Sequence, residues 1–365
     1  MRSSNFSRMA PARRTGDLRG VEQPRVKRIT THDVAKRAGV SQPTVSLVLS
    51  KNVRARVSAE TRERVLLAAR ELGYVPNVVA RSLVRSRSYA IGVIVPDLRN
   101  PFFAEVVSGA ERVASEEGYA VLLCETREIP KERHMQALLE RQVDGIMVDA
   151  VGAASIPESM LAGVNLVLID EPPGRWPGVA SDAEGAGRLA AEHLLSLGHR
   201  KFGFLGPATN VHAIRMRERG FVSALADQGI RLESSAMRRV PATAAGGQTG
   251  MHALLALPDR PTAVFCSNDL VAAGALKVCS IEKVRVPDEM SIVGCDDIEL
   301  ASLVVPSLTT VAIPARELGA RAARLLLQGL VASDTAQRVN RSQRTIASRL
   351  VVRGTTAAPR PDNKS

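Results

Sequence analysis

The sequence predicts a small all-α helix-turn-helix module followed by a larger α/β domain of two parallel-sheet lobes. Three observations support this. Short capped helical patterns separated by a glycine fill residues 28–76, and from Tyr89 onward β-rich runs alternate with helical stretches, with the alternation restarting after Asp182. The third is that the excess positive charge is confined to the first quarter of the chain. With 365 residues, 45% hydrophobic and 24% charged, the composition is globular and the length calls for two or three domains.

Residues 1–88 hold 19 Lys and Arg against 6 Asp and Glu, a net of +13, whereas the rest holds 30 against 31, a net of −1. A basic footprint joined to a nearly neutral domain fits contact with a phosphate backbone. The first twenty residues are polar and arginine-rich with no apolar signal-like core, and no later run approaches eighteen apolar residues. A cytoplasmic protein that neither enters nor spans a membrane is expected. Cys124, Cys266, Cys279 and Cys295 lie far apart in apolar segments, with no Cys-x-x-Cys pair and no histidine at ligand spacing, so they read as buried thiols rather than as metal ligands. The histidines His134, His193, His199, His212 and His252 are scattered in or beside helices and read as surface or capping residues.

Taken in order, residues 1–27 form an arginine-rich extension without apolar periodicity, expected to be disordered. It is either a basic arm or an upstream stretch ahead of a true start at Val26. From Thr30, the run Thr-Thr-His-Asp-Val-Ala-Lys-Arg-Ala-Gly places a capping-box pair, Thr30 and Asp33, before a short amphipathic helix ending at Gly39. Ser41 caps a second helix that tolerates Pro43 because the first helical turn has no intrahelical bond to lose. Two short helices around a glycine turn make a helix-turn-helix, whose second helix offers its N-terminal residues to the major groove. Gln42, Pro43, Thr44, Ser46 and Leu47 then face bases and phosphates, with Thr30 and Thr31 at the start of the first helix. A third helix begins at the N-cap Ser58, places Val65, Ala69 and Leu72 on one stripe, and ends at Gly73. Arg56 and Ser58 precede it and complete the candidate contact set.

Asp33-Val34-Ala35, Thr44-Val45-Ser46 and the ordered run Tyr74-x-Pro76-Asn77-x-x-Ala80-Arg81-Ser82-Leu83 resemble the LacI/GalR family of repressors. The resemblance spans roughly residues 28–355. It implies a hinge helix and linker over 77–88 in which Asn77, Ala80 and Arg81 contact DNA and Leu83 wedges between base steps of the minor groove, paired across a homodimer on a roughly palindromic operator. Leu47 stands where relatives often place a polar base-reader, and the loop over 51–56 is longer than in several of them, so the operator sequence does not transfer.

In the α/β domain, residues 89–355, the strands are expected at 90–95, 119–124, 145–148, 166–169, 201–205, 263–266 and 291–293. Ligands of open parallel sheets bind outside the carboxyl ends of strands, which nominates Asp170, Asn268, Asp269, Asp296 and Asp297, with Arg217 of Arg-x-x-Gly-Phe as the cation. The resemblance implies periplasmic-binding-protein-like lobes, three chain crossings with the last after Leu308-Thr-Thr, and a cleft-facing Asn100-Pro101-Phe102-Phe103 loop. Its motifs best match Asp296, Arg217 and Asn268 to effector contacts; with Asp170 from its strand-end position and Phe102 and Phe103 from the loop these form the candidate effector set, leaving Asp269 and Asp297 mainly structural. For each polar member the alternative is a helix cap or an inter-lobe hydrogen bond.

The family default ligand is a sugar or sugar derivative; a purine stacked on Phe102 and Phe103 stays open. A transport-type solute-binding protein would need a signal peptide and would lack residues 30–85. A sugar-modifying enzyme would need a phosphate loop, a nucleophile elbow or paired metal ligands, none of which the sequence has. No cofactor, metal or catalytic residue is expected. A tail over 356–365 is expected to be disordered.

Overall fold

A computed structural model describes residues 29–49, 57–74, 87–149, 158–161, 163–172, 174, 176–209, 211–331 and 345–360. The chain divides into two compact units, Met1–Val78 and Val79–Ser365.

In the first unit, α1 (Thr31–Ala38), α2 (Gln42–Leu49) and α3 (Ala59–Glu71) close on Val34, Ala35, Ala38, Val45, Val48, Val65, Ala68 and Ala69. So few apolar side chains make a thin core, which leaves much of the order of this unit to its caps. The expected capping box is present: the Thr30 hydroxyl accepts from the Asp33 amide while Asp33 Oδ2 accepts from the Thr30 amide at 2.8 Å. Ser58 caps α3 by accepting from the Thr61 amide at 3.2 Å.

The second unit holds two six-stranded sheets. Beta-rich runs such as Ala-Ile-Gly-Val-Ile-Val form parallel strands with helices between them, and this one is buried from its second residue on because both faces are covered. Along the chain come β1 (Ala90–Val95), α4 (Pro101–Glu116), β2 (Ala120–Glu125), α5 (Lys131–Glu140), β3 (Gly145–Asp149), α6 (Glu158–Leu161), β4 (Leu166–Ile169) and β5 (Gly178–Ser181). The second lobe follows as α7 (Ala183–Ser196), β6 (Phe202–Gly206), α8 (His212–Ala226), β7 (Met237–Arg239), α9 (Ala244–Leu255), β8 (Ala263–Cys266), α10 (Asp269–Ile281), β9 (Ser291–Asp296), α11 (Leu300–Leu303) and β10 (Thr309–Ala312). Then α12 (Ala315–Val331) and β11 (Thr345–Ile346) return to the first lobe, and β12 (Arg349–Val351) to the second.

The sheet orders are β11-β5-β4-β3-β1-β2 and β12-β10-β9-β8-β6-β7, parallel except for the β10–β12 pair. The chain therefore crosses between lobes after Ser181, after Ala312 and after Ile346. The crossing after Leu308-Thr-Thr is the second of three, not the last; the last joins two strands too short to stand out in sequence.

Three helix pairs pack at backbone contact through reciprocal glycines. A Cβ on Gly109 of α4 would lie 1.9 Å from the Arg316 carbonyl oxygen of α12, and one on Gly319 of α12 would lie 1.8 Å from that of Val106. Gly187 and Gly220 do the same between α7 and α8, and Gly247 and Gly274 between α9 and α10.

Residues 356–360, read as part of a disordered tail, are held against the second lobe: Thr356 Oγ1 is 2.9 Å from His193 Nε2, and the Ala357 carbonyl is 2.9 Å from His199 Nε2. His199 is correspondingly not at the surface. It is buried, with Thr262 on its other nitrogen and Ser291 beside Nε2, because three distant stretches of chain close around the ring. Burial holds its pKa below the ordinary histidine value, as it does for His193. A depressed folded pKa means that the unfolded chain takes up the proton first. The stability from these groups is thus full above about pH 6.5 and lost as pH falls below it. The buried acids of the cleft act in the opposite direction, so the test is a difference: between pH 7.5 and 5.5 the melting temperature of His199→Gln is expected to shift upward relative to that of the wild type, and an unchanged difference at the two pH values would remove the assignment.

Candidate functional site

Two regions meet the requirements for function. The first is the helix pair of the small unit. The α1 helix stops at Gly39, whose φ of +66° puts it in the left-handed region where a glycine carries no Cβ strain, and the Val40 amide returns to the Ala35 carbonyl. Ser41 then accepts from the Thr44 amide at 3.4 Å to start α2. Val45 and Val48 turn into the core, which leaves Gln42, Pro43, Ser46 and Leu47 exposed and Thr44 half-buried at the N-terminal end of α2. Together these five residues combine a bidentate amide, two hydroxyls and two apolar groups, which suits a groove bearing base edges, thymine methyls and phosphates. Thr30 and Ser58 are engaged as caps, and Thr31 opens α1. Arg56, Asn77, Ala80, Arg81 and Leu83 lie outside the described residues, so the hinge helix does too.

The second region is the cleft where the strand ends of both lobes meet. Arg217, from α8, is buried and reaches two partners: its Nη1 lies 3.0 Å from Asp296 Oδ1 at the end of β9 and donates to the Ser267 carbonyl at 2.9 Å. Asn100 caps α4 by accepting from the Phe102 amide and also bonds Asp296, so one carboxylate links a second-lobe arginine to a first-lobe loop. Asp170, with φ +55° after β4, accepts from the amide and hydroxyl of Ser181 at 2.9 and 2.6 Å, tying the end of β4 to that of β5. Asn268 caps α10 through the Val271 amide at 2.8 Å and donates to the Ala242 carbonyl. Asn268 thus has the helix-cap role given as its alternative, whereas Asp170 ties two strands within the first lobe and is neither a helix cap nor an inter-lobe bond.

Phe102 packs in the core and Phe103 half-buried beside it, their rings edge to face at 5.4 Å. Asp269 accepts from the Ile298 amide and the Thr310 hydroxyl, and a Cβ on Gly294 would sit 2.2 Å from its Oδ1, which explains the glycine of the Gly-x-Asp-Asp run. Asp297 pairs with Arg353 at 2.6 Å. Both are engaged within the second lobe, the mainly structural role that the resemblance implied although their strand-end positions nominated them for the ligand.

One residue that the sequence reading missed joins this group. Asp149 ends β3, is fully buried, and has no hydrogen-bond partner on either carboxylate oxygen. It stands directly after the expected strand 145–148, so the strand-end signal that nominates Asp170 and Asp296 points to it as well. Burial first, then Asp170 and Asp296, push its pKa well above the ordinary carboxylate value. Asp296 is pushed up to about 6 by burial, with Arg217 working against the shift. Burial disfavours the Arg217 cation, but Cys295, Asp296 and Asp170 more than offset this and raise its pKa. The cleft floor therefore holds three acids around one guanidinium, with the Asp149 oxygens, Arg217 Nε and Ser267 Oγ unpartnered. Such a floor suits a small ligand rich in hydroxyls, each of which both donates and accepts. Among the described residues there is no cluster able to hold a metal and no helix long and apolar enough to cross a membrane.

A groove-reading helix pair joined to a two-lobed cleft domain defines a ligand-responsive, DNA-binding regulator. Residues 30–77 match the family of bacterial regulatory proteins, lacI family, and residues 191–356 match a periplasmic binding protein-like domain. The ribose operon repressor of Halalkalibacterium halodurans is 38% identical over 90% of this chain and 97% of its own, and the HTH-type transcriptional repressor CytR of Escherichia coli 35% over 90% and 96%. Among solved structures, the lac repressor dimer bound to operator and the anti-inducer ONPF superposes with a TM-score of 0.78 at 31% identity, over 91% of this chain and all of the other. A LacI family regulator from Enterococcus faecium with bound ribose gives a TM-score of 0.66 at 29% identity, over 74% of this chain and 99% of the other. The chain belongs to the LacI family of bacterial regulatory proteins: it is a DNA-binding transcriptional regulator with an effector-binding domain, not an enzyme.

Proposed function

We propose that this regulator is a cytoplasmic repressor acting as a homodimer on a roughly palindromic operator, with its DNA affinity set by a sugar or sugar derivative bound between the lobes. The domain assignment that goes with this is a DNA-binding domain over 28–76, a hinge over 77–88 and an effector domain over 89–355. The proposed contacts are Gln42, Pro43, Thr44, Ser46 and Leu47 with Thr30, Thr31, Arg56 and Ser58 to the operator, and Asn77, Ala80, Arg81 and Leu83 to its centre. Asp170, Arg217, Asn268 and Asp296, flanked by Phe102 and Phe103 and joined by Asp149, hold the effector.

The observation behind the effector reading is the buried Arg217–Asp296 pair beside the unpartnered Asp149 carboxylate, which a hydroxyl of the ligand would satisfy. Ribose in a structural relative supports the class. A ligand that binds the two lobe arrangements with different affinity shifts operator affinity by that difference: an inducer separates the paired hinges and a corepressor brings them together.

The test is selection from a random duplex library at moderate salt, where phosphate contacts alone do not bind everything. An enriched palindrome is expected, along with a measurable heat for a panel of pentoses and disaccharides. No enriched motif with or without the panel would sink the operator reading. Gln42→Ala is expected to relax the motif at one base pair per half-site, costing about 1–3 kcal/mol there; an unchanged motif would remove Gln42 from the base-reading set.

A further inference from the structure

The start of the effector unit carries an arrangement that the cleft does not use. The amides of two successive residues, Ser88 and Tyr89, donate to one carboxylate, that of Asp144, at 2.8 Å to Oδ1 and 3.0 Å to Oδ2. The Ser88 hydroxyl also donates to Oδ1 at 3.0 Å. Two consecutive amides point the same way only if the backbone turns sharply, and Tyr89 supplies the turn with φ +55°, a conformation disfavoured for an aromatic residue. The Asp144 amide donates back to the Ala90 carbonyl at 2.8 Å, which closes the loop around the first residue of β1.

Arg87 is fixed from the opposite direction. Its Nη2 donates to the Leu330 carbonyl at 2.6 Å, close to the C-terminus of α12 where carbonyl dipoles favour a cation, and it also bonds the Tyr119 hydroxyl. The Tyr119 ring in turn lies 5.4 Å from that of Tyr89. Asp144, Arg87, Ser88 and Tyr89 are all half-buried.

We propose that Asp144, with the α12 carboxyl end, is a clamp that fixes where and in which direction the linker leaves the effector domain, and that it is a positioning residue for operator recognition. This rests on the reading above in which residues 77–88 join that domain to the operator-binding helices. A linker held at its root transmits lobe movement to the DNA-binding helices; one that swivels there averages the movement away. Asp144 touches neither DNA nor effector, and acts through the three residues it holds.

The experiment uses the full chain in wild-type, D144A, D144N and R87Q forms. Hydrogen exchange at the Ser88 and Tyr89 amides needs no DNA, and D144A is expected to accelerate it by about tenfold or more, as loss of bonds to a charged acceptor implies. D144N, which keeps one acceptor oxygen and replaces the other with an amide N–H2, falls between. Affinity for the motif selected by the wild type is expected to drop by about tenfold in D144A. Sequence-independent binding at low salt and the heat of effector binding stay within twofold, a split that general destabilisation would not produce.

Unchanged exchange in D144A and D144N would show that the clamp does not exist. Faster exchange with operator affinity held within twofold would remove its positioning role. If D144A does not fold, D144N and R87Q decide the same two points. A wild type that selects no motif marks failure of the operator reading itself, and the exchange arm still decides whether the clamp forms.

Discussion

Arg217→Ala is expected to lower the melting temperature of the effector domain by roughly 10 °C, a loss of about 3–5 kcal/mol, and to do so more severely at pH 8 than at pH 5.5. Among the described residues the Arg217 guanidinium is the cation that acts on both Asp149 and Asp296, and it is buried with its Asp296 partner 3.0 Å away. Removing one member of a buried pair leaves the other charge desolvated and uncompensated, which is far costlier than the net worth of the intact pair. The sign of the pH effect follows from Asp296. Its folded pKa of about 6 already lies above the unfolded value, so the stability it contributes is full at low pH and lost as pH rises through that value. Without Arg217 the folded pKa values of Asp296 and Asp149 rise further. The variant then relieves itself by protonation at pH 5.5 and cannot at pH 8. Melts at the two pH values check this, and an equal loss at both would mean that the cost is one of packing rather than of charge.

Gly319→Ala and Gly329→Ala, ten residues apart on α12, are expected to change stability in opposite directions. Alanine in a helix normally gains about 0.5–1 kcal/mol over glycine, and at Gly329 nothing lies within 4 Å of the added methyl, so that variant is expected to melt higher. At Gly319 the same methyl meets the Val106 carbonyl oxygen at 1.8 Å, and the group in the way is backbone of a packed helix rather than the end of a flexible side chain. The α4–α12 pair must separate, at a cost of about 3 kcal/mol or more. Chemical denaturation of both variants is the measurement. Gly319→Ala at or above wild-type stability would show that the helices do not approach as closely as described.

Much of the fold was legible because its signals are local. The Thr30–Asp33 capping box, Gly39 at a left-handed turn, Ser58 as an N-cap and the β-branched runs of β1, β3, β4 and β8 each depend on residues within a few positions of one another, and each stands where the spacing placed it. Strands β5, β7, β10, β11 and β12, of two to four residues, are absent from the expected set, since segments so short carry little period and depend on a neighbouring strand that offers an edge to pair with. The burial of His199 was missed for a related reason: its surroundings, Thr262, Ser291 and Ala357, come from three distant stretches of chain.

The candidate site divides along the same line. Strand ends are readable, so Asp170, Asn268 and Asp296 could be nominated by position alone, and a resemblance in short motifs supplied Arg217 and the Phe102–Phe103 loop. The tertiary structure showed which of them share an environment. It put Arg217 against Asp296, gave Asn268 to a helix cap and Asp170 to Ser181, and brought in Asp149, whose significance depends on having no partner in a buried place. By itself the sequence determined the class of protein, the order of its domains and the chemistry on offer, because caps, turns and strand periods are short-range and survive as pattern. Only the tertiary structure decided which carboxylate is paired, which glycines cannot bear a methyl and where the linker is clamped. Those depend on distances of a few ångströms between residues up to 243 positions apart, and desolvation and close packing act on such distances rather than on sequence spacing.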